Sequence, residues 1–243
     1  IKRKEHCEYD AFAILYRTNA QSRSFEDELR KHAIPYVIYG GLSFYQRKEI
    51  KNIIAYFRVV VNPDDDEAIR RIINYPARGI GNTTLSRISD CAATNGCSFG
   101  AVVSAPEHYG LNANRGTVGK LQKFAAMIDS FRDALRTEDA ASLGKRIIRE
   151  SGVHDDIFNS KEVDSLSRQE NVEELINELC LFVAERKEEG NEDVGLDTFI
   201  QDVSLLTDKD RNDDTGNCVT LMTIHASKGL EFPNVFVVGL EDG

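Results

Sequence analysis

At 243 residues, with 30 basic and 40 acidic side chains and a net charge of −10, the chain can hold two cores and lacks the basic excess of a general nucleic-acid binder. No apolar run approaches the ~20 residues of a membrane span and no signal peptide opens the sequence, so the cytoplasm is the expected location and no membrane partner is expected. The five cysteines (Cys7, Cys91, Cys97, Cys180, Cys218) are scattered without a C-x-x-C pair, which argues against a disulfide framework or structural zinc and for packed, reduced thiols.

In chain order, "AFAILYRTN" is an apolar run from Phe12 to Tyr16 that turns polar, the pattern of a buried strand ending in a loop. "SRSFEDELRKHA" pairs Phe25 with Leu29 at helical spacing, and "IPYVIYGG" is a second strand stopped by Gly40-Gly41. Strand, helix, strand at this length predicts a βαβ unit and hence a parallel sheet. "RKEIKNIIAYFRVVVN" sets Ile50, Ile53, Ile54 and Phe57 on one helical face, and "DEAIRRIIN" predicts another helix, ended by Pro76. After the "GIG" turn, a helix is expected over about Thr84 to Thr94.

From about Ser104 the period is helical only. "VGKLQKFAAMIDSFRDALR", "SLGKRIIRESG", "ENVEELINELCLFVAERKEE" and "LDTFIQDVSLLTD" all carry amphipathic spacing. Strand patterning returns after the polar "DKDRNDDTGN", in Val219–Ile224 and Val235–Leu240. The expected fold class is therefore α/β: a parallel-sheet domain from 1–104 and 214–243, with an all-α domain inserted over 105–213.

Ligands of open parallel sheets bind beyond the carboxyl ends of the strands. His225, Ser227, Lys228, Gly229 and Glu231 follow one such end, and Tyr16-Arg17-Thr18-Asn19 follow another. Lys228 and His225 can meet phosphate oxygens, Glu231 can accept from a sugar hydroxyl, Tyr16 can stack on a base, and Arg17 offers a forked donor. Taken alone, the first of these segments also reads as a solvated turn with incidental charges, and the second as a surface arginine pairing with Glu26 or Asp27. "GTVGKL" at Gly116–Leu121 has the wrong spacing for a phosphate loop, and no G-x-x-x-x-G-K-[ST] occurs in the chain.

Taken together, these segments resemble UvrD/PcrA/Rep-type superfamily 1 helicases. "AILYRTNAQSRSFEDEL" is similar to motif IV of that family, "GGLSFYQRKEIKNIIAYFRVVVNPDDD" and "RRIINYPARGIG" to the blocks that follow, and "VTLMTIHASKGLEFPNVFVVGLEDG" to motif V. The resemblance implies the second motor half of the family, a RecA-like domain (2A) carrying a helical domain (2B), cut before motif VI. The first RecA-like half, with the phosphate loop and the magnesium ligands, would lie outside this chain, which would be inactive alone.

By the same resemblance, Arg17 is the arginine finger to ATP, Tyr16 stacks on adenine and Glu231 binds ribose. His225 touches single-stranded DNA, and Arg78, Gly79, Gly81, Asn82 and Thr84 offer a cation and helix-start amides to DNA phosphates. The implied ligands are ATP with Mg2+, single-stranded and tailed duplex DNA, and the first motor half of the same protein. The insert's basic residues Lys120, Lys123, Lys145, Arg146 and Arg149 read either as a duplex contact or as a solvated face. Two further readings stand beside the motor: a non-catalytic nucleic-acid or protein interaction module on a helicase-like fold, and the helicase part of a helicase–nuclease.

Overall fold

The computed structural model describes residues 7–209 and 216–240. The elements are β1 (Phe12–Tyr16), α1 (Ser22–Lys31), β2 (Tyr36–Ile38), α2 (Lys48–Val61), α3 (Asp66–Ile72), α4 (Asn82–Asn95), α5 (Phe99–Ser104), α6 (Arg115–Ala134), α7 (Ala140–Glu150), α8 (Val153–Phe158), α9 (Ser165–Glu188), α10 (Leu196–Lys209), β3 (Val219–Thr223) and β4 (Asn234–Val237). Short 3-10 turns occupy Tyr9–Ala11, Asn19–Gln21 and Phe44–Gln46. Part of the "DKDRNDDTGN" linker, residues 210–215, lies outside the described residues.

Two compact units divide the chain. One comprises Ile1–Ile50, Leu166–Glu174 and Ser204–Gly243, the other Lys51–Ser165 and Leu175–Val203. The first is the sheet unit. Its strands are all parallel in the order β2-β3-β1-β4, with Tyr16 opposite Thr223, Ile38 opposite Leu221 and Leu15 opposite Val237. The run FAILY buries Phe12, Ala13 and Tyr16 and leaves Ile14 and Leu15 half-buried. β4 lies at the edge, and Val235, Phe236 and Val237 remain nearly half exposed.

The second unit is helical. Tyr56, Phe57, Phe99, Phe131, Leu143, Ile147, Leu175 and Leu179 are among its fully buried side chains. Side-chain oxygens of Asp65, Ser98, Asn114 and Asp139 cap α3, α5, α6 and α7, each accepting from the backbone N–H three residues on. Gly100 in α5 lies against the chain: a Cβ there would fall 2.2 Å from the Pro63 carbonyl oxygen.

Among the described residues, 105–209 contain no strand. The compact units do not divide at 104/105, however. Residues 51–104, expected with the sheet, cluster with the helical unit, and Leu166–Glu174, expected in the insert, cluster with the sheet. α2 and α9 each contribute residues to both units, so no break in periodicity marks either boundary. "GTVGKL" falls inside α6, where a phosphate loop cannot form.

Candidate functional site at the carboxyl edge of the sheet

Because all four strands are parallel and in register, their carboxyl ends share one edge. β1 ends at Tyr16 and β3 at Thr223, and the Tyr16 carbonyl accepts the Ile224 N–H at 2.9 Å. Arg17 and His225 are therefore each one residue beyond a directly bonded pair on adjacent strands. Both are exposed. The turn carrying His225 is closed by Thr223, whose hydroxyl accepts the Ala226 N–H at 3.1 Å and whose carbonyl accepts that of Ser227 at 3.1 Å. Glu231 is exposed, and no hydrogen bond or ion pair among the described residues joins it to Arg17.

Behind Arg17 the chain is held by a buried polar cluster. Arg47 donates to the Asn19 carbonyl at 2.7 Å, the Ser22 hydroxyl at 2.8 Å and the Asn171 side-chain oxygen at 2.6 Å. Asn171 in turn donates to Glu49 at 2.5 Å. Glu26, fully buried, accepts from the Ser22 hydroxyl at 2.7 Å, from the Phe44 N–H and from Arg30. Arg23 donates to the Tyr45 hydroxyl at 2.9 Å and pairs with Asp27. Each buried charge in this cluster thus has an opposite charge or a hydrogen bond, the condition under which burial is tolerated. Burial lowers the Arg47 pKa from its ordinary value, against the opposing pull of Glu26.

Tyr16 belongs to this cluster. Its side chain is bonded to Ser22, and burial, reinforced by Glu26, pushes its hydroxyl up to about 12. At 1% exposure its ring is closed to a base, and the stacking expected of it has no surface here. The reason is local: Tyr16 packs into the buried cluster of Ser22, Glu26 and Arg47, whereas Arg17, the next residue, is exposed. Phe44 and Tyr45 are buried against Arg23.

In the helical unit the residues Tyr75–Thr84 form the second candidate segment. Gly81 caps α4 without a side-chain bond, and Gly79, Gly81 and Asn82 are exposed, with Thr84 half-buried. The Thr84 N–H is already used by the Gly81 carbonyl at 2.9 Å. Asn74 accepts the N–H groups of Arg78 at 2.8 Å and Ile80 at 3.0 Å, fixing the turn from within. The Lys120 ammonium donates to the Gly79 carbonyl at 3.0 Å.

Arg78 does not face outward. Its guanidinium donates to the carbonyls of Tyr75 (2.8 Å), Ser151 (2.9 Å), Ile72 (3.1 Å) and Pro76 (3.3 Å) and to the Tyr56 hydroxyl (2.7 Å). A guanidinium committed to five internal acceptors is a brace, so the expected phosphate contact by Arg78 is corrected. Of the insert's other basic residues, Arg146 is paired with Glu138 and Glu150, while Lys120, Lys123, Lys145 and Arg149 are exposed. The five cysteines are unbridged, and the described residues contain no group of three His, Cys, Asp or Glu side chains that could hold a metal ion.

A parallel sheet, an exposed arginine and histidine on neighbouring strand ends, and a helical unit set into the same chain define a RecA-like α/β protein with a helical insertion. The chain belongs to the family described as UvrD-like helicase C-terminal domain, which it matches over residues 1–243. It is 40% identical over 237 residues to the ATP-dependent DNA helicase PcrA of Bacillus subtilis, covering 95% of this chain and 31% of that protein. The ATP-dependent DNA helicase UvrD1 of Mycobacterium tuberculosis is 38% identical over 246 residues, covering 97% and 32%. PcrA of Leuconostoc citreum is 36% identical over 248 residues, covering 100% and 32%. The chain thus spans about a third of the length of these relatives.

Three residues that hold the site escaped the sequence reading: Gln21, Arg47 and Asn171. For Gln21 a signal existed. A glutamine a few residues past a strand end can fold back onto the amides released there.

Proposed function

We propose that this chain is the second motor half of an ATP-dependent DNA helicase that moves 3′ to 5′ on single strands and works in the cytoplasm. The sheet unit takes the place of domain 2A and the helical unit that of 2B. The nucleotide binds between the carboxyl edge of the sheet and the first motor half, which supplies the phosphate loop and the magnesium ligands. Arg17 reaches the γ-phosphoryl group as its charge develops, and Glu231 receives the ribose.

His225 contacts the single strand. The turn at Gly79, Gly81 and Asn82, braced from within by Arg78, meets DNA phosphate through backbone amides beside the Lys120 ammonium, while Thr84 closes the first turn of the helix through its own N–H. Tyr16 anchors the Arg17 loop rather than stacking on adenine. The observation carrying this reading is the hydrogen bond from Ile224 to the Tyr16 carbonyl, which sets the nucleotide-side arginine and the DNA-side histidine on directly joined strand ends. Whatever moves one strand end is felt at the other, the physical basis for coupling DNA grip to nucleotide state.

The test is single-strand-stimulated ATP hydrolysis by the full-length protein. Arg17→Ala is expected to lower kcat by about 10³ or more with nucleotide affinity retained. Unchanged turnover would make Arg17 a surface residue and return the chain to the class of binding modules.

A further inference from the structure

Arg17 has a feature that its buried neighbours Arg23 and Arg47 lack: its guanidinium makes no hydrogen bond or ion pair among the described residues. An arginine side chain free in this way is aimed by its backbone alone. That backbone has just left the sheet, because β1 ends at Tyr16. Beyond that point Arg47 holds the Asn19 carbonyl, and one side chain takes the N–H groups of Arg17 and Thr18 themselves. The Gln21 Oε1 accepts the N–H of Arg17 at 2.9 Å and that of Thr18 at 3.1 Å, while the Gln21 N–H returns to the Thr18 carbonyl at 3.2 Å.

Such a local clamp would be loose if the glutamine could swing away. Its amide end lies close against the chain after β4, which limits that swing. A Cβ at Gly239 would fall 2.3 Å from Gln21 Nε2 and 3.1 Å from its Cδ, so a residue larger than glycine there would push the Gln21 amide from its place. Gly239 also has φ +65°, the left-handed region, and its position is set by the preceding Val238 N–H, which donates to the Leu15 carbonyl at 2.9 Å. Gln21 is therefore wedged between the released amides of β1 and a glycine held by β1 itself.

We propose that Gln21 is a positioning residue for Arg17, and that Gly239 is the contact that keeps it in place. The proposal rests on the reading of Arg17 as the arginine that reaches the nucleotide. A displacement on the order of 1 Å at a reacting group costs about 10²-fold in rate, so a clamp on its backbone is worth a measurable part of turnover.

The experiment has two arms. In the 243-residue chain, Gln21→Met is expected to speed amide hydrogen exchange at Arg17 and Thr18 by about tenfold or more, with the exchange of β1 and β3 unchanged. In the full-length protein, Gln21→Met is expected to lower kcat for DNA-stimulated ATP hydrolysis about 10- to 100-fold with little change in the KM for ATP. Gln21→Glu, which keeps the accepting oxygen, should recover most of that loss. Added to Arg17→Ala, Gln21→Met should cost nothing further, because it acts through the missing side chain.

Unchanged amide exchange, or faster exchange with undiminished turnover, overturns the positioning role. So do losses that multiply in the double variant, since they mark damage that does not pass through Arg17. Full turnover in Arg17→Ala alone is a different failure: it removes the reading of Arg17 and this proposal with it.

Discussion

Replacing Arg78 separates two roles that predict opposite measurements. As a phosphate ligand, Arg78 would contribute to DNA affinity and little to stability. As the brace the structure shows, it satisfies four backbone carbonyls and the Tyr56 hydroxyl. Its guanidinium also lies 5.5 Å from the Phe124 ring centroid and 5.8 Å from that of Tyr56. A buried acceptor left without its donor costs about 1–3 kcal/mol.

Arg78 is itself half-buried, so water reaches part of the vacated site and the full sum is not realised. Losing two acceptors' worth gives about 2–6 kcal/mol for Arg78→Met. Arg78→Lys should recover little, because one ammonium cannot reach acceptors spread along a planar fork. Urea unfolding followed by circular dichroism reads the helical unit directly. The salt dependence of DNA binding by the full-length protein should keep its slope, whereas removing a true phosphate ligand would reduce that slope by about one. Wild-type stability in Arg78→Lys, together with a reduced salt slope, would refute the brace and restore the phosphate ligand.

Two further outcomes follow from the geometry. The hydroxyls of Tyr16 and Tyr56 are both pushed up to about 12, in each case chiefly by burial. Between the ordinary tyrosine value near 10 and about 12 the folded state holds a proton that the unfolded chain has released, so stability is intact below about pH 10 and falls as pH rises through that window, by up to about 2–3 kcal/mol for Tyr56. Tyrosinate absorbance should show a late phase from Tyr16 and Tyr56 that accompanies unfolding; a folded chain whose tyrosinate absorbance rises without any late phase would contradict this. Gly100→Ala should destabilise the helical unit by about 2–3 kcal/mol despite alanine's better helix propensity, because its Cβ meets the Pro63 backbone carbonyl rather than a side chain that can move aside; a thermal midpoint at or above wild type would contradict the contact.

The strands and helices were legible because period alone decides them: the run Phe12–Tyr16, the stripe Ile50, Ile53, Phe57, and the runs at Val219 and Val235 all fall in elements of the expected type. The division into units was not. α9 is a continuous amphipathic helix in sequence, and nothing in "SRQENVEELINEL" announces that Asn171 serves the sheet unit by holding Arg47 and Glu49. The functional segments were legible as places and less so as directions. Sequence puts Tyr16 and Arg17 at a strand end, but which of two neighbours faces outward depends on what covers each face. For Arg78 the deciding fact was a set of backbone carbonyls brought around it by folding, and carbonyls leave no trace in the residue letters.

The order β2-β3-β1-β4 has a consequence for how these two units are made. The strand that joins β1 to β2 is β3, so β1 and β2, as they emerge from the ribosome, have no partner in each other. Their shared neighbour begins only at Val219, after the whole helical unit has been synthesised. Helices close on local contacts quickly, whereas this sheet waits on contacts between distant segments of the chain. Synthesis therefore favours a helical unit that is complete first, and a carboxyl edge of the sheet that is the later of the two to take shape.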